Sequence, residues 1–107
     1  MTPELEQYVK SLVEKIVEVI PVEEIFLFGS YAYGSPNEDS DIDLCILTTT
    51  NGNQALELIK RARKAIAPIS LYPVDLLVYT KEEFIERASI KTTLEYKIKR
   101  EGVKVYG

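Results

Sequence analysis

The sequence contains no histidine and a single cysteine. The first absence removes a histidine general base, a Ser-His-Asp triad and any histidine-ligated zinc site. The second removes an internal disulfide. Cys45 lies inside an apolar run, which suits a buried, inert thiol rather than a nucleophile. Chemistry in this chain must come from carboxylates, hydroxyls, lysine or a bound metal. No apolar run approaches the roughly 20 residues that span a bilayer, and the start lacks a basic segment followed by an apolar one. A cytoplasmic protein without membrane contact is expected. Excess positive charge is missing as well: 13 Lys and Arg against 17 Asp and Glu leave a net charge of −4. A bare nucleic-acid binder is usually basic, so direct nucleic-acid binding is not expected. Binding a nucleotide as its metal complex stays open.

What is there is enough for one domain. The 107 residues, 46% hydrophobic and 28% charged, read as a single globular unit over 1–107 that can bury a core without disulfides. Thr2 and Pro3 open a helix in which Leu5, Tyr8, Val9, Leu12, Val13, Ile16, Val17 and Ile20 recur at helical spacing, until Pro21 ends it. The stripe is expected to be core, with length to spare for a partner. Glu24–Phe28 reads as a short strand buried on both faces. Ser30–Tyr33 reads as a helical turn. Glu38 and Asp39 read as solvated loop acids, and Ser40 as a cap or turn hydroxyl. Residues 41–48 read as a second strand. Asn53 is placed to cap a helix carrying Ala55, Leu58, Ile59, Ala62 and Ile66 on its buried side. Lys60, Arg61, Arg63 and Lys64 form its solvated basic face. Residues 71–79 read as a third strand, with Pro73 tolerated near its start. Thr80-Lys81-Glu82-Glu83 is a capping box opening a helix to about residue 88. A further helix is expected from about residue 90 to 100 with Leu94, Ile98 and Tyr96 turned inward, then a short strand over 103–106.

The informative stretch is Phe26-Leu27-Phe28-Gly29-Ser30, ten further residues, then Asp41-Ile42-Asp43-Leu44. Side chains at i and i+2 of a strand leave the same face, so Asp41 and Asp43 stand side by side. Two such carboxylates suit a hard divalent cation such as Mg²⁺. Gly29 lets the backbone turn and lets a phosphate approach its N–H groups. Asp75, inside an otherwise apolar strand, is expected either to pair with a lysine or arginine or to be a third ligand of the same metal.

These residues resemble the minimal nucleotidyltransferases of the DNA polymerase β-like superfamily. The likeness rests on Gly29-Ser30, the ten-residue interval, Asp41-Ile42-Asp43, and Asp75 on a later strand, in the family's order of elements. It implies an α/β (α+β) fold: a mixed sheet of about four strands with helices mainly on one face. It implies transfer of AMP from ATP to an acceptor hydroxyl, with Asp41 and Asp43 bridging two Mg²⁺ ions, Asp75 holding the ion on the acceptor side, and Gly29, Ser30 and Ser40 binding the nucleotide. Many members carry Ala-Arg-Gly after Gly-Ser-x, where this chain has Ala32-Tyr33-Gly34; tyrosine brings no positive charge. Small stand-alone members commonly occur with a helical HEPN-domain toxin. The likeness therefore implies an antitoxin that transfers AMP to a tyrosine of such a partner. Two other functions compete: a non-catalytic antitoxin that acts by occlusion, and a small-molecule nucleotidyltransferase. Tyr31 and Tyr33, between the phosphate turn and the metal strand, are expected to pack locally or to meet a partner.

Overall fold

The chain begins with its longest helix. In the computed structural model, which describes residues 2–34, 41–50 and 54–107, α1 runs Pro3–Val19. Thr2 caps it, accepting from the Leu5 amide at 3.1 Å. The strand β1 (Glu24–Phe28) follows, then a single helical turn, α2 (Ser30–Tyr33). After β2 (Ile42–Thr48) come α3 (Ala55–Ile66), a 3₁₀ turn (Ala67–Ile69) and β3 (Val74–Thr80). The chain closes with α4 (Lys81–Ala88), α5 (Leu94–Glu101) and β4 (Val103–Tyr106). No helix among the described residues is long and apolar enough to cross a membrane. The expected roles of Glu38, Asp39, Ser40 and Asn53 lie outside the described residues.

The four strands form one mixed sheet in the order β3-β2-β1-β4. β1 is antiparallel to β2 and to β4, while β2 and β3 are parallel, linked by the α3 crossover. Alternation along each strand divides the core. Ile25, Leu27, Ile42, Leu44, Ile46, Leu76 and Val78 face α1 and α3, meeting Val9, Leu12, Val13, Ile16, Leu58, Ala62 and Ile66. The apolar stripe of α1 is thus spent on the core. Phe28, Cys45 and Leu47 face the other way, toward Phe84 and Ala88 of α4 and Ile98 of α5. Cys45 is fully buried there, and burial pushes its thiol up to about 12, so it is inert at neutral pH.

Three expectations need correction. β3 starts at Val74 rather than residue 71, because Pro73 has no N–H for a ladder; its carbonyl instead accepts from the Ile42 amide at 2.9 Å. α5 starts at Leu94 rather than near residue 90, capped by the Thr93 hydroxyl, which accepts from the Tyr96 amide. Leu94 then points outward, and Glu95 takes the buried position at 6% exposure. A carboxylate survives there because the Tyr79 hydroxyl donates to it at 3.3 Å and Arg87 lies 3.7 Å away.

Candidate active site

Three passages of the chain meet at one edge of the sheet. β1 ends there, and β2 and β3 begin there. Phe28 stands opposite Asp43, and Asp43 stands beside Asp75 in the parallel ladder. The i, i+2 rule places Asp43 and Asp75 on the face that holds Cys45, Leu47, Leu77 and Tyr79. Ile42 and Leu44 turn to the opposite, fully buried side. Asp41 immediately precedes β2 and is half-buried.

Gly29 is fitted to this arrangement. Its backbone has φ +78°, in the left-handed region that glycine tolerates, and it caps α2. Its carbonyl accepts from the amides of Ala32 and Tyr33, both at 3.0 Å. A Cβ on Gly29 would collide with the carboxylate of Asp43. The missing side chain is what leaves room for that carboxylate. Ser30 is the first residue of α2 and is half-buried. The expected contact of Ser40 lies outside the described residues.

The charges at this edge oppose one another. The Asp43 carboxyl is raised from its ordinary 3.8 to about 6, first by burial, then by the charges of Asp75 and Asp41, and by a hydrogen bond with Asp75. Asp75 itself is exposed, so the expected cost of burying a lone carboxylate does not arise. β3 is an edge strand and Asp75 lies near its start, where solvent reaches it. No lysine or arginine pairs with Asp75 among the described residues. Nor does any group of three or more acidic, cysteine or histidine side chains among them stand ready to hold a metal ion. The donor chemistry nevertheless fits a hard cation: oxygen ligands only, two carboxylates in contact, a third next to them, and a raised proton affinity that a dication would relieve.

Around this edge stand Tyr31 and Tyr33, which the sequence had pointed to, and Tyr8, Tyr72 and Lys97, which it had not. α2 sends its two tyrosines to opposite sides of the sheet. Tyr31 packs toward α1 and lies 6.5 Å from Tyr72, ring to ring. With Leu5, Tyr8 and Leu71 these walls enclose a groove of about 600 Å³. The Tyr8 hydroxyl accepts from the Leu71 amide at 2.8 Å, which fixes the loop before β3. Tyr33 packs on the carboxylate side, with the cluster that holds Phe28, Cys45 and Leu47. Its hydroxyl is buried and has no hydrogen-bond partner among the described residues. Burial raises its pKa, with Glu101 and Asp43 adding to the rise and the Gly29 amide opposing it. The ammonium of Lys97 sits 4.6 Å above the Tyr33 ring. Lys97 carries no local sequence signal, because it is 64 positions from Tyr33.

Comparison with known proteins bears on the family and the fold. A family model described as a nucleotidyltransferase domain matches residues 4–100. A candidate protein adenylyltransferase of Methanocaldococcus jannaschii is 31% identical over 86 residues, covering 78% of this chain and 79% of its own. Among solved structures, a chain from a toxin-antitoxin crystallised with AMP-PNP superposes with a TM-score of 0.59 at 22% identity, covering 95% of this chain and 73% of that one. A chain of the toxin-antitoxin MntA-HepT gives a TM-score of 0.54 at 18% identity, over 94% of this chain and 71% of that one. At these identities the two structural matches establish a shared fold.

Proposed function

This chain belongs to the nucleotidyltransferase domain family and is a nucleotidyltransferase, and on that premise we propose that it moves AMP from ATP to a tyrosine hydroxyl of a HEPN-domain toxin, acting as the antitoxin of the pair. The single observation that carries the chemistry is the meeting of Gly29, Asp43 and Asp75 at one sheet edge. Support for the acceptor comes from the Methanocaldococcus relative, which is a candidate protein adenylyltransferase. Support for the partner comes from the fold shared with toxin-antitoxin chains, one of them crystallised with AMP-PNP, an ATP analogue.

In this proposal Asp41, Asp43 and Asp75 hold Mg²⁺. When bound, the metal neutralises charge on the entering and leaving oxygens of an in-line phosphoryl displacement. Gly29 and Ser30 offer backbone amides to the triphosphate, at the turn that the positive φ of Gly29 makes beside Asp43. Asp75, exposed at the edge strand, faces the incoming acceptor and takes up its proton. The acceptor oxygen bonds to the α-phosphorus, the bond from that phosphorus to the bridging oxygen breaks, and pyrophosphate leaves. Ser40 would add a hydroxyl beside the phosphates.

The experiment is to incubate the chain with its HEPN neighbour, ATP and Mg²⁺ and to weigh the neighbour by mass spectrometry. AMP additions that disappear in Asp41→Asn are expected. A neighbour that is bound and silenced without gaining mass would replace this proposal with occlusion. A neighbour neither bound nor modified would transfer the acceptor role to a small molecule.

A further inference from the structure

The loop that leads from Gly29 to Asp43 contains no lysine and no arginine. Its charged residues are Glu38, Asp39, Asp41 and Asp43, all acidic, and Asp75 adds another carboxylate at the same edge. A nucleoside triphosphate arriving here brings further negative charge. Metal ions offset part of it, but the phosphate oxygens turned away from the carboxylates still need a donor. The amides of Gly29 and Ser30 supply some, and a positive charge to balance the rest has to come from outside the loop.

Most basic side chains near α4, α5 and β4 are already engaged. Arg87 pairs with Glu95, and Lys81 and Lys104 both reach Glu24. Arg100 donates to the Tyr96 hydroxyl at 3.0 Å. Lys97 differs. Among the described residues, no carboxylate lies within ion-pair distance of its ammonium. Its one described partner is the face of the Tyr33 ring. Tyr33 is the last residue of α2, the turn that Gly29 caps, and its amide is bonded to the Gly29 carbonyl. The ring packs with the cluster on the Asp43 side of the sheet.

We propose that Lys97 is the phosphate-contacting cation of the nucleotide site, supplied by α5 and seated over Gly29 and Ser30 by the ring of Tyr33. The inference rests on the nucleotide reading above and assigns the polyphosphate part of that ligand. An ammonium is a compact donor with three N–H bonds on a flexible stem, suited to charge-assisted contacts with phosphate oxygens. The aromatic face holds it near the turn while leaving its outer hydrogens free. Ile98, fully buried on the adjacent position of α5, anchors the helix that carries it.

The test is calorimetric binding of MgATP, adenosine and inorganic tripolyphosphate to wild type, Lys97→Met and Lys97→Arg. Loss of one charge-assisted contact is expected to weaken MgATP and tripolyphosphate by about tenfold in Lys97→Met. Adenosine should bind all three proteins alike, and Lys97→Arg should recover most of the lost affinity. Tyr33→Phe keeps the ring and should keep the affinity, whereas Tyr33→Ala should lose part of it. Equal MgATP affinity in wild type and Lys97→Met overturns the assignment and leaves the nucleotide reading intact. Equal weakening for adenosine also overturns it, because the effect would then not be on phosphate. A wild type that binds none of the three ligands overturns both readings.

Discussion

Without a cation, the ionised carboxylate of Asp43 is a burden on the folded state. Burial and two neighbouring carboxylates hold its pKa at about 6 instead of 3.8. A folded pKa above the unfolded one means that the native state binds the proton more tightly than the unfolded chain. Below pH 4 the group is protonated in both states and the difference contributes its full stabilisation relative to the charged form. Between pH 4 and 6 that contribution drains away, and at pH 7.5 it is gone. At 1.36 kcal/mol per tenfold in proton affinity, the ceiling on the effect is about 3 kcal/mol. The carboxyl is partly wet, so screening reduces this to about 1–2 kcal/mol. Asp43→Asn removes the charge and keeps the shape. In the presence of a chelator at pH 7.5 the variant should therefore melt roughly 4–16 °C above wild type, using about 4–8 °C per kcal/mol for a domain of this size. The two melting curves should converge below pH 4. Millimolar Mg²⁺ should then raise the wild-type Tm and leave Asp43→Asn nearly unmoved. Differential scanning calorimetry over pH 3.5–8, with and without Mg²⁺, measures all of this. A wild type that is more stable than Asp43→Asn at pH 7.5 without metal, or a gap that does not change with pH, would refute the charge conflict.

Other perturbations follow from the same geometry. Gly29→Ala should cost about 1–3 kcal/mol through its positive φ and its collision with Asp43; in an Asp43→Ala background the collision part should vanish, so urea melts of the double-mutant cycle should show clear non-additivity. Tyr33→Phe removes a buried hydroxyl that has no partner among the described residues and should leave stability unchanged or raise it by about 1 kcal/mol in denaturant melts. A fall of similar size would mean that the hydroxyl has a partner in solution. Glu95→Ala strips Tyr79 and Arg87 of their common acceptor and opens a hole beside Ile98, so a loss of about 2–4 kcal/mol is expected. A loss below about 0.5 kcal/mol would show that the buried pair contributes nothing. Burial and Glu95 hold the Tyr79 phenol at about 12, and ultraviolet titration of Glu95→Gln should bring its pKa down.

The extent to which this molecule could be read from its sequence depended on the range of the interactions involved. β1 and β4 have the bounds expected, because each is a short apolar run closed by residues that end strands locally. The capping box at Thr80 is equally local: its hydroxyl accepts from the Glu83 amide at 3.1 Å while the Glu83 carboxylate accepts from the Thr80 amide at 3.1 Å. Strand periodicity sets Asp43 on the face opposite Ile42 and Leu44, while Asp41 lies just before β2 instead of inside it as expected. Asp75 was visible as a candidate, but not its exposure, which depends on β3 being an edge strand. Leu94 was expected inward and Glu95 was not singled out, because the groups that let Glu95 sit there, Tyr79 and Arg87, come from two other elements. The collision between a Gly29 Cβ and Asp43 was also out of reach, since it exists only once Phe28 and Asp43 are in register.

The parallel pairing of β2 with β3 has a consequence for the order in which this protein can become active. Antiparallel neighbours that follow one another in the chain can form as soon as both are made, and β1 and β2 bring Gly29 to Asp43 in that way. Asp75 reaches them only after the α3 crossover has been completed and closed. A growing chain on the ribosome therefore carries the glycine turn and two aspartates for more than thirty residues before the third carboxylate exists, as the positions of Asp43 and Asp75 show. α5, which bears Lys97, comes later still. Any fragment released before Val74 would hold Gly29, Asp41 and Asp43 without the strand that sets Asp75 beside them. Competence at this edge is acquired only once α5 has followed β3, and long-range contacts of this kind are the slow ones to form.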